Sequence, residues 1–148
     1  MMMDFSMNTA PLTVTQPVMV ELVGPTGGVT PVRSELIYDP RDPYAVTAVF
    51  MAGESQVSWT FGGDLLRDGL SEPTGDGDVH VWPCLDAAGR AVVIIELCSP
   101  DGEALVQART TDVLAFVDRM NATVPPGTES ALLDVDSAIA AILHAEAA

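Results

Sequence analysis

Residues 55–70 read Ser55-Gln56-Val57-Ser58-Trp59-Thr60-Phe61-Gly62-Gly63-Asp64-Leu65-Leu66-Arg67-Asp68-Gly69-Leu70. The apolar period changes inside this stretch. Val57, Trp59 and Phe61 recur at every second residue, the spacing of a strand with one covered face. From Asp64 the alternation stops, and residues 64–70 predict a short helix. Asp64 is placed to cap its start. Gly69 suits a left-handed stop, with Leu70 folding back on Leu65.

Strands precede this switch. Thr15–Val23 alternates loosely with Val18, Val20 and Leu22 on one face, and Pro17 argues for an edge or a late start. Val29–Tyr38 follows the Gly24–Gly28 turn. Asp39-Pro40-Arg41-Asp42-Pro43 breaks the chain, because each proline biases its predecessor away from helix. Tyr44–Met51 is apolar on both sides and reads as a strand covered on both faces; Tyr44, Val46, Ala48 and Phe50 share one of them.

After the helix the pattern repeats. Residues 71–77 read as a loop and 78–85 as a strand, with Val79 and Val81 on one side and His80 and Trp82 on the other. A hairpin loop over 86–90 leads to Ala91–Cys98, broken only by Glu96. Ser99-Pro100-Asp101-Gly102 carries a type I turn signature, and 103–110 returns. Thr111 or Asp112 then caps a helix to about Ala122, with Val113, Phe116, Val117 and Met120 at helical spacing. Pro125-Pro126 stops it. Asp134 or Asp136 caps a last helix carrying Val135, Ile139, Ile142 and Leu143, which frays near His144.

The order is four strands, a short helix, three strands and two helices. That is not the strand–helix alternation of a doubly wound sheet. It predicts an α+β fold: antiparallel sheets of about seven strands, a short middle helix and two C-terminal helices. Strands-then-helix occurs twice, which points to two related halves. Residues 14–148 read as a single domain and 1–13 as a flexible N-terminal segment, in which Met1, Met2, Met3 and Met7 are alternative starts. Tyr44, Phe50, Trp59, Phe61, Trp82, Ile95, Phe116 and Ile139 are the expected core.

Composition narrows the function. The chain has 148 residues, 48% of them hydrophobic, enough for a real core and not a disordered composition. Mean hydropathy is +0.29, a surplus of apolar residues that favours a homo-oligomer. Twenty-one acids face six bases, all arginine, for a net charge of −15. Such a surface repels phosphate backbones and anionic membranes. No apolar run approaches the length of a spanning helix, and the N-terminus lacks a secretory pattern. Cys84 and Cys98, without C-x-x-C spacing, read as reduced, buried thiols of a cytoplasmic protein rather than a cross-strand disulfide.

The search for chemistry returns little. No phosphate-cradling, dinucleotide-binding or nucleophile-elbow motif is present, and the absence of lysine removes Schiff-base chemistry. His80 and His144 stand in unrelated contexts, a strand and a tail, and predict no shared metal site. Asp76, Asp78 and Asp86 surround a hairpin as loop carboxylates of a cation site do. Without a closing glutamate they read as solvated turn residues, as do Asp39 and Asp42. Trp59 and Trp82 read as packed rather than as stacking platforms, since no base lies near them. No catalytic, metal-binding or cofactor-binding residue is predicted, and the residues alone point to a binding or scaffolding role without naming the partner.

Five ordered segments carry a resemblance. They are Tyr38-Asp39-Pro40-Arg41-Asp42-Pro43-Tyr44-Ala45-Val46; Trp59-x-Phe61 with Asp64-Leu65-Leu66-x-x-Gly69-Leu70; Pro73-Thr74-Gly75-Asp76-Gly77-Asp78-Val79-His80-Val81-Trp82-Pro83; Ser99-Pro100-Asp101-Gly102-Glu103-Ala104-Leu105; and Val124-Pro125-Pro126-Gly127-Thr128-Glu129. Together they resemble the SsgA-like sporulation and cell-division proteins, in a pattern nearest the SsgB type, over about residues 14–143. The resemblance implies a non-enzymatic regulator of sporulation-specific septation that helps to recruit FtsZ with an SsgA-type partner. It implies a cytoplasmic homotrimer concentrated at septa, with a fold like the Whirly and guide-RNA-binding proteins. The basic strand by which Whirly proteins hold single strands is missing, so nucleic-acid binding does not follow from the fold. The competing reading, a single-stranded nucleic-acid-binding protein, requires the arginines at 33, 41, 67, 90, 109 and 119 to gather on one sheet face.

Overall fold

Val18, Val20, Leu36, Val46, Ala48 and Phe61 all contribute to one core, formed on one face of an eight-stranded sheet. The computed structural model describes residues 12–130 and residue 142. In chain order the elements are β1 (Val14–Val23), β2 (Val29–Tyr38), β3 (Ala45–Ala52), β4 (Ser55–Gly62), α1 (Gly63–Gly69), β5 (Thr74–Asp76), β6 (Val79–Leu85), β7 (Ala91–Ser99), β8 (Gly102–Arg109) and α2 (Thr110–Thr123). The sheet order is β4-β3-β2-β1-β8-β7-β6-β5 and every pairing is antiparallel. Each half is thus a four-stranded meander followed by a helix.

The count of eight corrects the expectation of about seven. The additional strand, β5, is three residues long and lies in the stretch read as a loop. Its composition is that of a turn, and it pairs only because His80 and its neighbours present a free edge. Of the two expected C-terminal helices, α2 is present. The second, with Val135, Ile139 and Leu143, lies outside the described residues, as do His144 and residues 1–11; Ile142 is exposed.

Proline placement follows from where neighbouring strands stop. β1 pairs with β8 only over Glu21–Val23, so Pro17 sits where β1 is a local edge. β3 covers β2 only over Arg33–Ile37, which leaves Pro31 free of it. β5 covers β6 only over Val79–Val81, which does the same for Pro83. At none of the three does the missing N–H interrupt a ladder on both sides. Along the local edge of β1 lies α2: Gln16 Nε2 donates to the Asp112 carbonyl at 3.0 Å and Arg119 to the Thr15 carbonyl at 3.2 Å.

The inner face holds Val18 and Val20 (β1), Leu36 and Tyr38 (β2), Val46, Ala48 and Phe50 (β3), Val79 and Val81 (β6), Val93, Ile95 and Leu97 (β7) and Val106 and Ala108 (β8). Leu65 and Leu66 from α1, and Val113, Phe116, Val117 and Met120 from α2, pack onto it. The 14-residue α2 has its apolar residues at the helical period, and this stripe is the buried one. α1 crosses between the halves: it follows β4 but packs on β5 and β6.

Several local expectations are corrected. The N-cap of α1 is Gly62, and Asp64 sits in the first turn, where it pairs with Arg67 at 2.8 Å. Gly69 closes α1 in helical conformation, with no left-handed turn; Leu70 follows with φ −67°. Gly69 is required instead by proximity: a Cβ there would lie 2.8 Å from Cβ of Val81, so only glycine lets α1 settle on β6. α2 starts at Thr110 with Arg109 at its N-cap, ahead of both Thr111 and Asp112. The outer side of β3 (Ala45, Thr47, Val49, Met51) is half-buried rather than covered.

Candidate functional site

The core assignments sort by face. Phe50, Phe61, Ile95 and Phe116 are buried, and Trp59 is partly buried against the same cluster. Tyr44 is half exposed, outside the core. Its strand begins one residue later, and Tyr44 belongs to the turn, where its carbonyl accepts from Gly63 N at 2.8 Å. Trp82 is also outside the core: alternation in β6 sends Val79 and Val81 inward and Trp82 outward, opposite Ile94. The inward residue beside Pro43 is Tyr38, fully buried, whose hydroxyl donates to the Pro43 carbonyl at 3.0 Å.

Among the described residues, part of the inner face is left open by the helices. A cleft of about 160 Å³ is lined by apolar side chains alone, among them Leu22, Val32, Phe50, Val57, Trp59 and Leu97. Leu22 and Val57 at this cleft are 40% and 44% exposed, large for side chains of their hydrophobicity.

The outer face carries the side chains with chemistry. His80 on β6 pairs with Glu96 on β7, and Cys98, two residues along on the same face, pairs with Glu103 on β8. His80 Nδ1 is 3.5 Å from Glu96 Oε1, and Cys98 Sγ is 3.9 Å from Glu103 Oε2. One donor atom each from His80, Glu96 and Cys98 lies within 4.8 Å of the other two, the one such group among the described residues. Burial pushes the Cys98 thiol above its ordinary pKa, and the carboxylates of Glu96, Glu103 and Asp78 push it further. The His80 ring lies over Gly75, where a Cβ would come within 2.9 Å of Nε2.

The cysteines do not face one another. Cys84 lies opposite Val92 and Cys98 opposite Glu103, and both are free. Cys84 is exposed and Cys98 half-buried, which corrects the expectation of buried thiols; both sit at outward positions of their strands. Two of the turn acids, Asp86 and Asp39, hold their own turns. Asp86 Oδ1 accepts from the backbone N–H groups of Ala88 and Arg90, both at 2.9 Å, and Asp39 holds Arg41 at 2.8 Å. Asp76 ends β5, and the Asp78 carbonyl accepts from Cys98 N at 2.8 Å.

The six arginines do not all share one face, although Met19 on β1 lines one cavity with Arg33 and another with Arg90 and Arg109. Arg41, Arg67 and Arg90 pair with Asp39, Asp64 and Asp86. Arg90 and Arg109 share the walls of a cavity of about 370 Å³ with Glu21, Asp86 and Asp112, so acids outnumber bases even there. Arg33 lies on β2 and Arg119 on α2. Among the described residues no helix is long and apolar enough to cross a membrane.

An antiparallel eight-stranded sheet with two helices packed on its inner face and an apolar cleft beside them defines an α+β fold. Comparison with known proteins gives the family. Residues 32–129 match the model described as Streptomyces sporulation and cell division protein, SsgA, and the chain belongs to this family. It is 49% identical over 114 residues to the sporulation-specific cell division protein SsgB of Kineococcus radiotolerans, a match spanning 76% of this chain and 69% of that one. Two solved structures are similar. One is of SsgB, whose mutations correlate to longitudinal cell division during sporulation of Streptomyces coelicolor, with 45% identity, TM-score 0.78 and coverage of 82% and 96%. The other is the SsgA-like sporulation-specific cell division protein of Thermobifida fusca, with 35% identity, TM-score 0.80 and coverage of 89% and 96%.

Proposed function

We propose that this chain is a non-enzymatic regulator of sporulation-specific septation, which helps to position FtsZ at septum sites together with an SsgA-type protein. The observation that carries the reading is the identity of 49% to a relative named sporulation-specific cell division protein SsgB. The chain acts in the cytoplasm, concentrated at septa, as a homotrimer. The apolar cleft and its exposed Leu22 and Val57 support self-association, because the described residues leave this surface uncovered. The division into two four-strand-and-helix units supports the kinship with Whirly proteins. The pairing of Arg41, Arg67 and Arg90 with carboxylates weighs against retention of nucleic-acid binding.

Pull-down of purified FtsZ and of an SsgA-type protein on the immobilised full chain tests the partners. Retention of both is expected; retention of neither overturns the reading. Light scattering at micromolar concentration should return three times the chain mass, and a monomer mass refutes the trimer. Anisotropy with labelled single-stranded DNA in about 150 mM salt should show no saturation at low micromolar protein.

A further inference from the structure

Two hairpins bring a nitrogen, a sulfur and two carboxylates together on the outer face. The loop at Asp86–Arg90 sets His80 opposite Glu96, and the turn at Pro100–Asp101 sets Cys98 opposite Glu103. Strand alternation then places Glu96 and Cys98, two residues apart, on the same side. His80 is oriented by its setting: its ring rests over Gly75 of the edge strand, and Nδ1 faces Glu96. Imidazole, thiolate and carboxylate together are the ligand types of a tetrahedral zinc site.

We propose that His80, Glu96 and Cys98, with Glu103 as the fourth ligand, form a binding site for a thiophilic divalent cation of the zinc type. Metal–ligand bonds of about 2.0–2.3 Å put the ligand atoms of a tetrahedral site about 3.3–3.8 Å apart. The His80, Glu96 and Cys98 donor atoms lie within 4.8 Å of one another; Glu103 Oε2, 3.9 Å from Cys98 Sγ, stands outside this group and must swing in, so closing the site requires side-chain rotation. The charge balance favours a cation. Glu96 and Glu103 place two carboxylates beside the thiol. A divalent ion reverses that balance: it neutralises the carboxylates and displaces the thiol proton to solvent as the Cys98–metal bond forms. The mixed donor set disfavours magnesium and calcium, which take oxygen ligands.

Cobalt is the probe, because thiolate coordination gives it a charge-transfer absorption band in the near ultraviolet that oxygen and nitrogen ligands alone do not give. Reduced full-length protein titrated with Co²⁺ should develop this band at one equivalent per chain, and added Zn²⁺ should abolish it. Cys98→Ser should remove the band and Cys84→Ser should keep it. His80→Ala, at a partly exposed side chain that leaves the core untouched, should weaken Co²⁺ binding tenfold or more. Absence of the band in the unsubstituted protein overturns the proposal, as does a band that survives Cys98→Ser or disappears with Cys84→Ser. Circular dichroism of each variant confirms that a lost band is not a lost fold.

Discussion

Arg67 Nε donates to Asn121 Oδ1 at 2.8 Å and so ties α1, from the first half of the chain, to α2, from the second. The same guanidinium meets Asp64 at 2.8 Å and Glu129 at 3.8 Å, and the side chains of Arg67 and Glu129 are only 11% and 8% exposed. Glu129 is fixed in turn by the N–H of Gly127 at 2.8 Å. Glu129→Ala removes one partner of a mostly buried charge that already has one unbonded nitrogen, Nη2. We expect a loss of about 1–3 kcal/mol, the penalty for an unsatisfied buried group, read from urea unfolding. A loss below the error of that measurement would show the bridge to be ornamental.

Gly69 touches Val81 more closely than any side chain would allow. Gly69→Ala gains helix propensity but overpacks this contact, and the second effect wins: about 1–3 kcal/mol is lost against less than about 1 gained. Val81→Ala in the same chain removes the nearer methyl groups and should recover part of the loss. Strict additivity in the double-mutant cycle would contradict the steric account.

Burial raises the pKa of the Tyr38 phenol above its ordinary value, with Glu129 and Asp42 adding to the rise and Arg67 opposing it. A raised pKa in the folded state means that the unfolded chain loses this proton first. The contribution is complete below the ordinary tyrosine value of about 10 and is lost as pH climbs through and beyond it. Denaturation midpoints followed from pH 8 upward should fall more steeply for the unsubstituted protein than for Tyr38→Phe. Parallel curves would remove Tyr38 from the alkaline transition.

Two aromatic residues separate the faces of the sheet. Phe116 is fully buried among α2 and the inner strands, and Phe116→Ala should cost about 3–5 kcal/mol. Trp82 lies on the outer face, partly exposed, and Trp82→Ala should cost less than half as much. Thermal melts that rank Trp82→Ala as the worse variant would relocate the core.

How far the sequence discloses this structure depends on how local each feature is. β2 falls on its expected bounds, Val29–Tyr38, because turn residues flank an alternating run. β5 escapes because Thr74-Gly75-Asp76 has the composition of a turn, and its pairing depends on the neighbouring β6 edge. Tyr44 and Trp82 show two limits of alternation. It extends on paper one residue past the strand for Tyr44, and for Trp82 it names a face without saying which face is covered. The group of His80, Glu96 and Cys98 is invisible to spacing rules, since residues 80 and 96 meet only through hairpin register. A five-residue loop at 86–90 fixes that register and was the available signal. Family membership was legible because it rests on ordered motifs rather than on contacts.

The seam between the halves is short. β1 and β8 share three residue pairs, against ten between β1 and β2, and the seam carries a side-chain bond from Gln107 to Glu21 across 86 positions of chain. Each meander can therefore zip from its own turns, over loops of a few residues, whereas the seam must close a loop that spans most of the molecule. Loop-closure entropy makes such long-range pairings the late and costly ones. Folding should then have a rate set by the meeting of two preassembled halves, and a substitution at Glu21 or Gln107 should slow folding more than it speeds unfolding.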